Sequence, residues 1–289
     1  MNTILVAASV DLGVAADGAR LGPKTILNHF HHQKSVSVEA DPSIIKSRDK
    51  NDLRKNEAEL LKYNTGLYHT ILNAKKDGYF SLLLGGDHSA AIPSALSSAA
   101  VYGNIGVIWI DAHADFNTFD TTVTGNLHGL PLAAIGGFNN TDMIPFHQGK
   151  TVSQKNIVIV GGRDIDPDEQ INLEHSDVTV FSTEDIHREG ADVIMEKALK
   201  IAGNGTDAVH ISYDLDVIDP LTAPGVSVPA SDGISEEEAF EINRTIVSHI
   251  GEICSYDLVE LNPLRDIDHK TENIAVRLVN EILDSVKKL

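Results

Sequence analysis

Asp111, His113 and Asp115 stand at alternate positions directly after the apolar run Ile105–Ile110. Such a run reads as a buried central strand, and side chains two apart along an extended chain point the same way. Two carboxylates and an imidazole converging at the end of a buried strand are costly unless a cation neutralises them. Asp214 and Asp216 repeat the spacing after another strand-like run, Asp207–Ser212, and His88 follows Gly85-Gly86-Asp87. All of these, with Asp166 and Glu260, fall just beyond the C-terminal ends of expected strands, where ligand sites form in open parallel sheets. Taken singly, each Asp-x-Asp could equally be turn or capping chemistry. Together, four aspartates and two histidines exceed what one tetrahedral zinc needs. An oxygen-rich set with imidazole suits manganese, or iron or cobalt, and two ions share it better than one. Carboxylates can bridge ions about 3.5–4 Å apart, and a water held between them loses a proton near neutral pH.

The elements that would position these residues alternate throughout the chain. Strands are expected at residues 3–10, within 35–50, and at Tyr79–Leu84, Ile105–Ile110, Asn156–Val160, Val178–Phe181, Asp207–Ser212 and Glu252–Val259. Helices are expected from Pro23, over Asn51–Lys76 with Leu53, Leu60, Leu61, Leu67 and Ile71 on one stripe, and after Ser89. Further helices are expected over Thr183–Ala202, from Ser235 with Glu238 completing a capping box, and at the C-terminus. Neither a repeat nor a linker-like segment interrupts the pattern. The expectation is one α/β domain over residues 1–289, three-layer α/β/α with a mostly parallel sheet.

Composition narrows the partners. A chain of 289 residues that is 42% hydrophobic can bury a full-sized core. Its formal charge of −19 opposes nucleic acid, and no apolar stretch approaches the roughly 20 residues that span a bilayer. The run Ile4–Val10 lacks a basic preface and reads as a strand rather than a signal peptide, so a cytoplasmic location is expected. Cys254 is the only cysteine and lies in an apolar stretch, which fits an ordinary buried thiol. His29, His31 and His32 suit a helix C-terminus and solvent.

Three motifs occur in order across the chain: Gly85-Gly86-Asp87-His88-Ser89, Asp111-Ala112-His113-Ala114-Asp115, and Ser212-Tyr213-Asp214-Leu215-Asp216 with Asp219-Pro220. In these the sequence resembles the ureohydrolase family of arginases, agmatinases and formiminoglutamases. The resemblance implies a dimanganese site, with His88 and Asp115 on one ion, His113 and Asp216 on the other, and Asp111 and Asp214 bridging. It also implies a bridging hydroxide that attacks a guanidino carbon, Asp115 passing the proton to the leaving amine, and Glu260 pairing with the guanidinium. The segment 117–128 is most similar to the arginases. There Asn117, Thr122 and Thr124 match positions that hold an α-carboxylate, and His128 matches a proton-shuttle histidine. Asp166 and Glu169 match acids that receive the α-ammonium.

The implied reaction is L-arginine to L-ornithine and urea, and the implied assembly a homo-oligomer, trimer or hexamer. Two other readings share these motifs: a sister ureohydrolase acting on another guanidino or formimino compound, and a non-catalytic metal-binding member. Two departures bear on substrate choice. Ser227-Val228-Pro229 replaces the family's Gly-Thr-Pro, and Asp120 adds an acid near the carboxylate-binding segment.

Overall fold

Strands buried on both faces read as near-continuous apolar runs, and the central runs of this chain are mostly apolar. In the computed structural model, which describes residues 1–49 and 51–289, they form β1 (Thr3–Ser9), β2 (Ser35–Glu39), β3 (Phe80–Gly85), β4 (Ile105–Ile110), β5 (Ile157–Gly162), β6 (Thr179–Ser182), β7 (Ala208–Asp214) and β8 (Ile253–Val259). Their order is β2-β1-β3-β8-β7-β4-β5-β6, and every pairing is parallel. The last two strands insert between β3 and β4, so the loops after β3, β4, β7 and β8 open side by side at the sheet's centre.

The helices are α1 (Gly22–Leu27), α2 (Glu57–Lys76), α3 (Ala91–Tyr102), α4 (Pro131–Ile135), α5 (Pro167–Glu174), α6 (Thr183–Glu189), α7 (Ala191–Ala202), α8 (Glu236–Ser248) and α9 (Lys270–Val286). One core packs Ile108, Ile211 and Leu258 of the sheet against Ile194, Ile242 and Leu278 of α7, α8 and α9. On the other face Val6 and Leu83 meet Leu67 of α2 and Leu96 of α3, and Trp109 and Ile159 meet Leu132 of α4. This is the expected three-layer α/β/α arrangement, with the sheet wholly parallel among the described residues. Among the described residues no helix is long and apolar enough to cross a membrane.

Two expected helices differ. The Asn51–Lys76 helix begins only at Glu57, because Asn56 adopts φ 56° and the chain before it bends away. Leu53 is therefore exposed rather than part of the apolar stripe. The Thr183–Ala202 helix is two, broken at Gly190 with φ 102°, a conformation that glycine alone adopts without strain.

The face of the sheet under α3 is polar. His210 Nε2 lies 2.9 Å from Asp257 Oδ2 and its Nδ1 3.1 Å from the Ser98 hydroxyl, while Ser94 donates to Asp257 Oδ1 at 2.7 Å. All four side chains are buried, so the network has no access for a ligand and holds α3 to β7 and β8. Beside it Lys75 donates to the Cys254 carbonyl at 3.3 Å, and Cys254 is buried as expected. Burial pushes the Lys75 ammonium down to about 8.

A base with a depressed folded pKa binds fewer protons folded than unfolded between the two values, so stability rises with pH there. Lys75→Met should therefore stabilise the protein by about 3 kcal/mol at pH 7. In denaturant titrations the gap between variant and parent should close as pH climbs from about 8 toward 10.5. A variant less stable than the parent at pH 7 would show that the ammonium contributes favourably where it lies.

Candidate metal centre and substrate pocket

The aspartates and histidines converge, though not through an extended chain. Beyond β4 the backbone bends at Asp111–His113, and Asp115 sits at φ 50°. Beyond β7 the chain closes into a 3-10 turn over Leu215–Val217, capped by Asp214, which accepts from the Asp216 N–H at 2.8 Å. The two-residue spacing thus works through tight turns rather than strand alternation. In each turn one carboxylate oxygen is held by the backbone, as when Asp111 Oδ1 accepts from the His113 N–H at 2.7 Å.

Two clusters result, sharing Asp111: His88 with Asp111 and Asp214, and His113 with Asp111 and Asp216. His88 Nδ1 lies 2.9 Å from Asp111 Oδ2, 3.1 Å from Asp214 Oδ2 and 3.2 Å from Asp115 Oδ2. His113 Nδ1 lies 3.1 Å from Asp216 Oδ2 and 3.4 Å from Asp111 Oδ1. The His88 ring is fixed from behind. It stacks on Trp109 with centroids 3.8 Å apart, and its Nε2 meets the Ser212 hydroxyl at 2.9 Å. Trp109 also donates to Asp111 Oδ2 at 2.9 Å. Trp109 stands in the apolar run and Ser212 in the third motif, each two residues before a motif aspartate, but nothing in the sequence alone gives either a role at the site.

Charge shows what the arrangement needs. Burial drives the carboxyls of Asp115 and Asp214 upward and Asp216 up to about 6, reinforced by neighbouring carboxylates. Burial raises Asp111 too, but the close approach of the His113 and His88 imidazoles outweighs it and holds Asp111 low. Burial works against charge on His88 and His113 as well, yet the surrounding aspartates raise both well above the usual imidazole range. Without a cation the cluster therefore keeps itself partly neutral with protons. His88 Nδ1 and Asp115 Oδ2 are buried without hydrogen-bond partners. Orphaned oxygen and imidazole atoms facing one another fit divalent cations of the manganese type.

Next to the cluster lies a cavity of about 180 Å³. Its lining includes His113, Asp115, Asn117, Thr122, Thr124, His128, Asp164, Asp166, Glu169 and Val228. Asp166 and Glu169 open α5, where Glu169 Oε2 accepts from the Asp166 N–H at 3.2 Å and Oε1 from the Phe116 N–H at 2.7 Å. Burial pushes the Glu169 carboxyl up to about 8, and its two backbone bonds anchor the loop. Asn117 Nδ2 donates to Asp166 Oδ2 at 3.3 Å. Asp120 is exposed on a turn and does not line the cavity.

Glu260 follows β8 at φ 69°, a strained conformation for a residue with a Cβ. Its Oε1 accepts from the His88 N–H at 2.9 Å and meets His128 Nδ1 at 3.0 Å, while Oε2 is buried without a partner. Burial opposes a charged His128, but Glu260 and the nearby Asp115 and Asp87 outweigh it and raise the imidazole to about 9.

The Arginase family model matches residues 1–284. The chain belongs to the arginase family. Membership makes it a hydrolase of guanidino carbon–nitrogen bonds. It is 35% identical to an arginase of Bacillus subtilis over 288 residues, 96% of each chain. It is 32% identical to an arginase of Brevibacillus brevis over 296 residues, 97% of each. The crystal structure of the arginase from Bacillus caldovelox superposes with a TM-score of 0.90 at 29% identity, covering 98% of each chain.

Because the Ser212 hydroxyl orients the free Nδ1 of His88 toward the aspartates, Ser212→Ala should weaken divalent-metal binding by about 10–100-fold. Calorimetric titration of chelator-stripped protein reads this directly. An affinity equal to the parent's would mean that stacking on Trp109 alone sets the ring.

Proposed function

We propose that this protein hydrolyses L-arginine to L-ornithine and urea with two manganese ions held by His88, Asp111, His113, Asp115, Asp214 and Asp216. The observation that carries the reading is Glu260. One of its oxygens is committed to His88 and His128, and the other is buried, unpartnered and close to the cluster. A guanidinium supplies the planar, charged donor that such an oxygen lacks.

Bound there, the two cations would neutralise the aspartates and supply a water made nucleophilic at neutral pH. Asp115 Oδ2, without a hydrogen-bond partner, accepts the proton of the attacking water and passes it toward the leaving nitrogen. Glu260 orients the guanidino carbon through its free Oε2. His128 holds a proton at neutral pH; its Nδ1 is engaged by Glu260, which leaves Nε2 to exchange a proton with the departing amine. At the outer end, Thr122 Oγ1 accepts from the Gly125 N–H at 3.1 Å and Thr124 Oγ1 from the Asn126 N–H at 3.2 Å. Each hydroxyl therefore keeps its own hydrogen for a substrate carboxylate, alongside Asn117. Asp166 receives the α-ammonium, with Glu169 behind it acting through water. Residues 1–289 act as one catalytic unit in this reading, within a homo-oligomer.

A second reading, a sister ureohydrolase with another guanidino acid as substrate, draws on Val228. Its apolar side chain lines the cavity, where it offers no hydroxyl for the guanidino end.

Urea release by manganese-loaded protein from L-arginine, agmatine and other guanidino acids separates the two. Preference for L-arginine is expected; activity confined to another compound would select the second reading. His128→Asn should lower kcat by about 10²-fold or more while leaving KM within a few-fold. An unchanged kcat would remove His128 from proton transfer.

A further inference from the structure

Among the described residues the cavity is lined by four acids, Asp115, Asp164, Asp166 and Glu169, by the histidines His113 and His128, and by no lysine or arginine. Asn117, Thr122 and Thr124 bring only neutral donors to a carboxylate, and Asn117 is already hydrogen-bonded to the acid Asp166. One cation stands directly behind them. Lys55 is 6% exposed, and its ammonium donates to the carbonyl oxygen of Thr124. Among the described residues no carboxylate forms an ion pair with it. By contrast, Lys46 pairs with Asp11 and Asp17, Arg48 with Asp17, and Arg54 with Glu57 and Asp142. A buried ammonium with a single carbonyl partner is costly, and one carbonyl uses only one of its three donors.

The chain around Lys55 is built to keep it there. Asn56, in the left-handed conformation, donates from Nδ2 to the Leu12 carbonyl at 2.9 Å and accepts from the Ser47 N–H at 2.6 Å. The Arg54 guanidinium lies over the Phe119 ring at 3.6 Å. The loop answers from its own side: Gly125, at φ +67°, packs so closely on the Asp52 carbonyl that a Cβ would collide with it. Residues 52–56 thus grip the 119–125 loop at three points, with the one buried ammonium in the middle.

We propose that Lys55 is the positioning residue for the substrate's carboxylate, holding the Thr124 carbonyl so that the loop's donors face the cavity and placing a positive charge behind those neutral donors. The proposal rests on the reading of this cavity as a guanidino-acid pocket. The loop's interior ammonium and the incoming anion are then counter-ions across a single peptide unit. A substrate of the same length without a carboxylate draws nothing from it.

The test compares the parent with Lys55→Met and Lys55→Arg, all manganese-loaded, on L-arginine and on agmatine, which differs from it only by the carboxylate. For Lys55→Met the KM for L-arginine should rise about tenfold or more, with kcat within a few-fold. Agmatine turnover should be unchanged or improved, and Lys55→Arg should restore most of the KM. A loss of equal proportion on both substrates, or a KM for L-arginine within twofold of the parent's, would overturn the proposal. If Lys55→Met does not fold, Lys55→Gln is read by the same criteria. If the parent releases no urea from either compound, the functional reading fails by itself. Calorimetric binding of L-ornithine against putrescine, in parent and Lys55→Gln, then decides on Lys55 alone: a parent preference for ornithine that the variant loses supports it, and an equal preference in both refutes it.

Discussion

Four aspartates brought within bonding distance of two imidazoles, all at the end of a buried sheet, are the constraint on which this molecule turns. Like charges at this spacing in a poorly solvated site repel strongly, and protons relieve the repulsion only in part, at the cost of the imidazoles' ability to bind metal. Divalent cations relieve it fully. The rest of the structure can be read as what holds the repelling groups in place until the cations arrive. Stacking on Trp109 and the Ser212 hydroxyl fix His88. Backbone N–H groups restrain Asp111 and Asp214. The strained backbone at Asp115 and Glu260 is stored where the chemistry is.

The sheet's topology makes that convergence possible. With β7 and β8 inserted between β3 and β4, residues far apart in sequence emerge from adjacent strand ends. The same insertion explains the polar underside. His210, Ser212 and Asp214 share one face of β7, and Asp257 of β8 lies beside Ser212 in register. The serines of α3 satisfy the lower part of this column while the metal cluster forms its upper end, so α3 is tied to the site by hydrogen bonds as well as by packing.

Much of this was legible in the residues themselves. The apolar run Ile105–Ile110 located β4 to the residue, and the mostly apolar stretch up to Val259 located β8 to within one, because buried strands are built chiefly of apolar residues. The polar residues just past the strand ends were legible for the same reason: only a ligand justifies them. What could not be read was local geometry that side-chain pattern does not encode. The motif aspartates converge through turns, and no periodicity announces a positive φ at Asp115 or at Asn56. Leu53 fits a helical stripe but lies on the segment that grips the 119–125 loop, where tertiary contacts override helix propensity. Glu169 shows another limit: the resemblance marks it, but its bonds to the Phe116 and Asp166 N–H groups leave no sign in the sequence. Lys55 was invisible as well, since its partner is a carbonyl and leaves no mark in sequence.

The central claim, that the carboxylate cluster is a two-cation site, is tested most directly by titrating chelator-stripped protein with manganese while following heat in buffers of different ionisation enthalpy and the melting temperature. The account predicts two equivalents bound per chain, release of protons as the imidazoles give up theirs to the metal, and a melting temperature that climbs with manganese concentration. Binding of fewer than two equivalents, without proton release and with an unshifted melting temperature, would contradict it.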